Sequence, residues 1–216
     1  MHKTLKKILM ILIVPPLIAV FFFDNIKGYV RFKQYCAAHP QFVFNGMLET
    51  NVGWQSDLDK DTEYKGAVSS FIYFIPQIKF FRFREHSVYP QNILDARFIG
   101  ANRILYPDYE SIPYNPSADK PADDLSNFSF EPENSNEKTI YQHEQFGPHS
   151  IPDQIRLETM GYRVIDLRTK KIIVESSYVV YRIFDKEIYN YNAICGDTSK
   201  LWNELTNPIN NQLFKK

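Results

Sequence analysis

The chain has 216 residues with 25 basic and 25 acidic side chains, a net charge of zero, 44% hydrophobic and 23% charged residues. That length suits one ordinary domain of about 100 to 200 residues plus an appendage. The composition excludes a wholly disordered chain, the presence of only one continuously apolar stretch excludes a polytopic membrane protein, and no internal repeat points to a solenoid or propeller.

The apolar stretch comes first. From Ile8 to Phe23, fourteen of sixteen residues are apolar, broken only by Pro15 and Pro16, and Lys3, Lys6 and Lys7 precede it with no acid. At about 1.5 Å per residue a helix of this length spans about 24 Å, short of the ~30 Å hydrocarbon core, with Ile26 able to extend it and the lysine stems able to snorkel. Phe21-Phe22-Phe23-Asp24 offers no small residues for signal peptidase, so residues 1–23 read as an uncleaved anchor. Lys33-Gln34-Tyr35 before Cys36 is no lipobox. Lys27, Arg31 and Lys33 partly balance the N-terminal lysines, and the chosen orientation is N-terminus inside and body outside. The alternative leaves the body in the cytoplasm. Without residues 1–23 the body has 22 bases against 25 acids, no surface for a polyanion, so nucleic acid is not an expected partner.

Cys36 and Cys195 are the only cysteines, a pattern that fits one disulfide in an oxidising compartment. Closing so long a loop would stabilise the fold by at most about 5 kcal/mol in the chain-entropy picture. Two separate buried thiols remain the alternative. Metal is not expected there, since distant single cysteines lack paired zinc-ligand spacing.

Residues 24–40 read as a juxtamembrane helix ended by Pro40. Residues 41–216 read as a periplasmic α+β domain with a mainly antiparallel sheet and a C-terminal helix. Expected strands are Phe42–Phe44, Ala67–Ile75, Ile78–Phe83 and Phe98–Tyr106, all rich in β-branched and aromatic residues. Residues 107–153 hold seven of the thirteen prolines and few apolar residues, and read as a long polar insertion or binding loop whose scattered aromatics anchor a partner or pin it to the domain. Met160–Leu167 and Ile172–Phe184 read as a hairpin through Arg168-Thr169-Lys170-Lys171. Asp197 or Thr198 would cap a last helix carrying Leu201, Trp202 and Leu205.

An N-terminal anchor followed by Tyr35-Cys36, Asn51-Val52-Gly53-Trp54, then Asp153, Arg156, Gly161-Tyr162, Val164-Ile165-Asp166-Leu167-Arg168-Thr169 and a late cysteine resembles a family of bacterial N-terminally anchored envelope proteins with no assigned activity. The resemblance covers most of the body outside residues 107–145. It departs at Lys170, where such proteins commonly carry Gly or Asn. It implies a periplasmic location and these domain limits, and names no reaction.

Catalytic motifs are scarce. No two of the eight glycines lie closer than seven positions, which excludes phosphate-cradling loops, and no G-x-S-x-G elbow or plausibly placed S-x-x-K occurs. His143, Glu144, His149 and Asp153 form the one cluster suggestive of metal or proton chemistry, but the histidines are six apart and Gly147-Pro148 would break a presenting helix. Asp153 with Arg156, and Arg82 with Arg84, are weak binding candidates. Glu49, Asp57, Asp59, Asp61 and Glu63 crowd one turn without the glycine of an EF-hand. The expectation is a single-pass inner-membrane protein that binds an envelope protein partner without catalysis or cofactor, in an immunity or assembly role. The alternative is an envelope enzyme with an acid–base site near Asp153, Arg156 and His149.

Overall fold

The computed structural model describes residues 26–86, 92–101, 124–152, 156–182, 193–196, 199–206 and 213–215, with Pro15, Pro16 and Phe23. Residues 26–38 are helical (α1). There follow β1 (Phe42–Phe44), β2 (Val52–Gln55), α2 (Lys65–Phe74), β3 (Ile78–Arg84) and β4 (Ile93–Phe98). A short 3₁₀ turn (Leu125–Asn127) leads to β5 (Phe128–Pro132), β6 (Thr139–Ser150), β7 (Leu157–Asp166), β8 (Lys171–Tyr181), β9 (Ala193–Gly196) and α3 (Ser199–Thr206). The sheet order is β1-β8-β7-β6-β2-β3-β4-β5, with β9 also on β8. This is an α+β fold with a large mixed sheet.

The mixture comes from β2, which runs parallel to both its neighbours, β3 and β6, whereas β3·β4, β4·β5, β1·β8 and β8·β9 are antiparallel. The sheet is therefore mixed, with four of these six pairings antiparallel, and α2, which links the parallel pair β2·β3, replaces the strand expected at Ala67–Ile75. Residues 67–75 form most of a helix, not a strand: Val68, Phe71, Ile72 and Ile75 fall at helical spacing and are all buried. A short, almost wholly apolar run does not separate helix from strand by pattern alone. Ser69, buried in mid-helix, satisfies its hydroxyl by donating to the Lys65 carbonyl at 2.8 Å. With a helix between them, β2 and β3 form a crossover unit and must pair in parallel.

Contacts divide the chain into two compact units, and β6, β7 and β8 contribute residues to both. The larger comprises Phe42–Phe146, Gly161–Ser177 and Asp197–Lys216. Its core gathers Trp54, Phe71, Phe81, Phe83, Tyr141 and Phe214 with aliphatic residues of α2 and α3. Gly53 leaves room for the Phe80 ring, where a Cβ would stand 2.3 Å from it, while Trp54 points to the opposite face, since strand side chains alternate. The chain end returns to this core through Leu48, whose amide donates to the Leu213 carbonyl at 2.6 Å. α3 buries Leu201 and Leu205, one turn apart.

The fourth strand lies earlier than expected, at Ile93–Phe98 rather than Phe98–Tyr106. The amides of Ile99 and Gly100 both donate to the Asn127 carbonyl (2.8 and 3.2 Å), which takes the backbone out of the ladder, and residues 102–106 lie outside the described ones. Within the segment read as an insertion, β5 and β6 are regular strands. Phe128 and Phe130 pair with Phe98 and Ala96 and turn the same face to the core, Phe128 within it and Phe130 packed against it. Residues 102–123 lie outside the described ones.

The hairpin of β7 and β8 turns at residues 167–170. The Asp166 carboxylate accepts from the Arg168 and Thr169 amides (2.8 and 3.3 Å), and its carbonyl accepts from the Lys170 amide at 2.7 Å. Lys170 adopts φ 58°, the left-handed region that glycine or asparagine enters at least cost.

The smaller unit comprises Met1–Gln41, Gly147–Met160 and Tyr178–Gly196. Its core is Phe32, Ile151, Leu157, Val179 and Tyr181, flanked by Tyr35, Cys36, Ala193 and Cys195. Phe32 stacks on Tyr181 with centroids 6.1 Å apart. Cys36 and Cys195 are joined in a disulfide, with Cα atoms 6.2 Å apart, which fastens α1 to β9. Gly28 lies against the Tyr181 ring so closely that a Cβ would reach 2.3 Å from its hydroxyl. Among the described residues no helix is long and apolar enough to cross a membrane; most of the expected anchor lies outside them.

Candidate functional site

β6 and β7 place His143 beside Tyr162, their rings nearly parallel at 12° with centroids 5.6 Å apart. α2 brings Phe71 to 4.9 Å from the same imidazole, and α3 adds Leu201, Trp202 and Leu205. Together these six line a cavity of about 290 Å³ within the larger unit. Trp202 leans on Phe71 at 5.8 Å and on Phe74 at 6.2 Å, so the indole is held by α2.

Among the described residues of this lining, His143 carries the imidazole. Burial among apolar groups lowers its pKa to about 4, because the charged imidazolium has no counter-charge to replace lost water. At neutral pH it therefore offers one ring N–H donor and one ring acceptor. The neighbouring carboxylate, Glu144, sits on the other side of the strand, where Gln142 (2.6 Å) and Arg163 hold it. Among the described residues, no serine, cysteine, lysine or carboxylate lines the cavity. Its chemistry is apolar enclosure with one neutral polar edge, which suits binding an aromatic or branched aliphatic group.

The residues singled out from sequence lie elsewhere. Arg82 is buried and fully engaged: its Nε and Nη2 donate to the Asp95 carboxylate at 2.7 and 3.0 Å, Nη1 lies 2.9 Å from Glu133, and Nη2 also donates to the Asn134 and Glu137 carbonyls. The hydrogen-bonded Asp95 raises the Arg82 pKa further. Arg82, one of the weak binding candidates, is thus already committed to these acids. Arg84 ends β3, where its carbonyl accepts from the Glu63 amide at 2.8 Å. Arg156 is exposed with φ 65°, its carbonyl accepting from the Arg182 amide, and Asp153 lies outside the described residues.

His149 lies at the exposed end of β6, away from the ring-lined setting of His143. Among the described residues no cluster of three or more His, Cys, Asp or Glu is arranged to hold a metal ion. In the acidic turn, Asp57 binds Lys60 at 2.8 Å and the Asp59 amide at 3.2 Å. Burial raises the pKa of Asp61 and of Glu63, with nearby carboxylates adding to it.

Comparison with family models, with curated proteins and with solved structures finds no match. The site is therefore argued from its own geometry. Sequence reasoning missed it because its parts stand at positions 71, 143, 162 and 201–205, on four elements. The available signal was the Leu201/Trp202/Leu205 face of α3, which needed a partner; His143 was grouped in sequence with His149, not with these residues.

Proposed function

We propose that this chain is a non-catalytic binding protein of the cell envelope. Its N-terminal apolar run sits in the inner membrane, its body lies in the periplasm, and the cavity of the larger unit receives an apolar group of another envelope component. The observation that carries this reading is the described lining: Phe71, Tyr162, Leu201, Trp202 and Leu205 border the space together with a neutral His143, a surface suited to holding an apolar group. A general base with a pKa near 4 removes protons poorly at neutral pH. The disulfide supports an oxidising compartment. An immunity or assembly role fits such a binder.

The test is crosslinking in intact cells with the full chain as bait, wild type beside Leu205→Phe, which fills the cavity. A partner captured by the wild type and lost from the folded variant supports the reading. Failure to recover any partner under several growth conditions, or equal capture by both proteins, overturns it.

A further inference from the structure

α1 has two apolar faces, and the fold uses one. Gly28, Phe32 and Cys36, each one turn apart, face the core of the smaller unit: Gly28 and Phe32 meet Tyr181, and Cys36 is bonded to Cys195. Ile26 and Val30 each stand two residues from Gly28, about 200° around the helix, and so point away from that core. They are 61% and 48% exposed, and Phe23, at matching spacing, is 62% exposed. Tyr29, 43% exposed, borders this stripe, its ring 5.9 Å from Phe32. Exposed Lys27 and Lys33 flank it, with Lys33 lying 5.6 Å over the Tyr29 ring.

The chain just before this stripe identifies what covers it. The apolar run Ile8–Phe23 would span about 24 Å, some 6 Å short of a ~30 Å hydrocarbon core. The stripe continues the apolar surface beyond the run, but on one side only, as in helices that lie in a membrane interface with lysines at the headgroups and an aromatic ring at the boundary. We infer that the outward stripe of α1, formed by Ile26 and Val30 with Phe23 and bordered by Tyr29, lies in the headgroup–acyl boundary of an anionic bilayer. The smaller unit then rests against the membrane instead of standing off on a stalk. This inference rests on the membrane attachment proposed above.

The test reconstitutes the full chain into vesicles of phosphatidylethanolamine and phosphatidylglycerol, with photoreactive benzoylphenylalanine at position 26, 30 or 169. Thr169, exposed in the β7–β8 turn, serves as the reference site outside α1. Flotation reads attachment, and mass spectrometry after irradiation reads what each probe has joined, with the intact Cys36–Cys195 bond as the folding control. The expected result is floated protein with lipid acyl adducts at 26 and 30, and several-fold fewer at 169. Floated protein whose probes at 26 and 30 form no more adducts than the probe at 169 overturns the inference and leaves attachment standing. A crosslinked pair of chains assigns the stripe to a second copy and overturns it too. Protein that fails to float overturns both readings.

Discussion

Asp95→Ala tests whether the polar face of the sheet is held together by the Arg82 pair. The substitution removes both carboxylate bonds to Arg82 and the bond from the Asn134 amide at 3.1 Å. Arg82, 7% exposed, keeps two backbone carbonyls and Glu133, whose side chain is 38% exposed. Two charge-assisted bonds at about 1.5–3 kcal/mol each, partly recovered through Glu133 and water, leave a cost of about 3–5 kcal/mol, the usual range for stranding a buried charge. Against a typical total of roughly 5–15 kcal/mol, that is a large share. Urea unfolding of the full chain in detergent micelles, followed by tryptophan fluorescence, reads it, since Trp54 and Trp202 both belong to the larger unit. Arg82→Met combined with Asp95→Leu should recover most of the loss, because paired apolar replacements of a buried ion pair are often near neutral. A cost under about 1 kcal/mol for Asp95→Ala, the value of an exposed pair, would refute the reasoning.

Stability should fall on acidification from pH 6.5 to about 4, the unfolded and folded pKa values of His143. Across this window the unfolded chain binds a proton that the folded chain refuses, so each unit lost in pH costs stability, to a total of roughly 2–3 kcal/mol with allowance for partial solvent access. His143→Gln should flatten that part of the urea-unfolding profile, and an unchanged slope would exclude His143 as its source. Asp166 behaves differently: its hydrogen bonds to Arg168 lower its pKa, so its contribution is present above about pH 4 and is lost on further acidification, a loss that Asp166→Asn should remove. Gly161→Ala should destabilise by about 1–3 kcal/mol or more in the same assay, since the new Cβ would lie 2.2 Å from the Ser176 carbonyl, a backbone atom with little freedom to yield. Lys170→Gly should stabilise by about 0.5–1 kcal/mol, the relief of a left-handed backbone less the extra freedom of glycine when unfolded, read as a raised melting temperature.

The sequence revealed what local patterns encode. Phe42–Phe44 and Ile78–Phe83 are rich in aromatic and β-branched residues, the 160–184 region divides at a polar turn, and two cysteines in a chain of this kind point to one another. The rest was hidden by context. α2 is apolar on almost every side, so its helical period did not stand out and it read as a strand, while the short β2 was not read as a strand at all. β4 was hidden by Asp95 and Arg97, charged residues whose partners, Arg82 and Glu137, come from other elements. β5 and β6 were hidden by the prolines and acids around them. The cavity lay furthest from reach, because no local pattern says that Phe71, His143 and Trp202 converge. Most of the expected N-terminal anchor falls outside the described residues.

The position of β2 also sets an order of events during synthesis. One edge of β2 finds β3 soon after both have emerged, with α2 between them. Its other edge must wait for β6: Gln55 and Thr139, which meet through their side chains, are 84 residues apart. At ordinary rates of elongation that delay is on the order of ten seconds, during which a strand carrying Trp54 presents unpaired backbone to any passing chain. The middle of the sheet thus stays open through this interval, and a factor that shields extended segments would be needed there while the polar stretch before Thr139 is still being made.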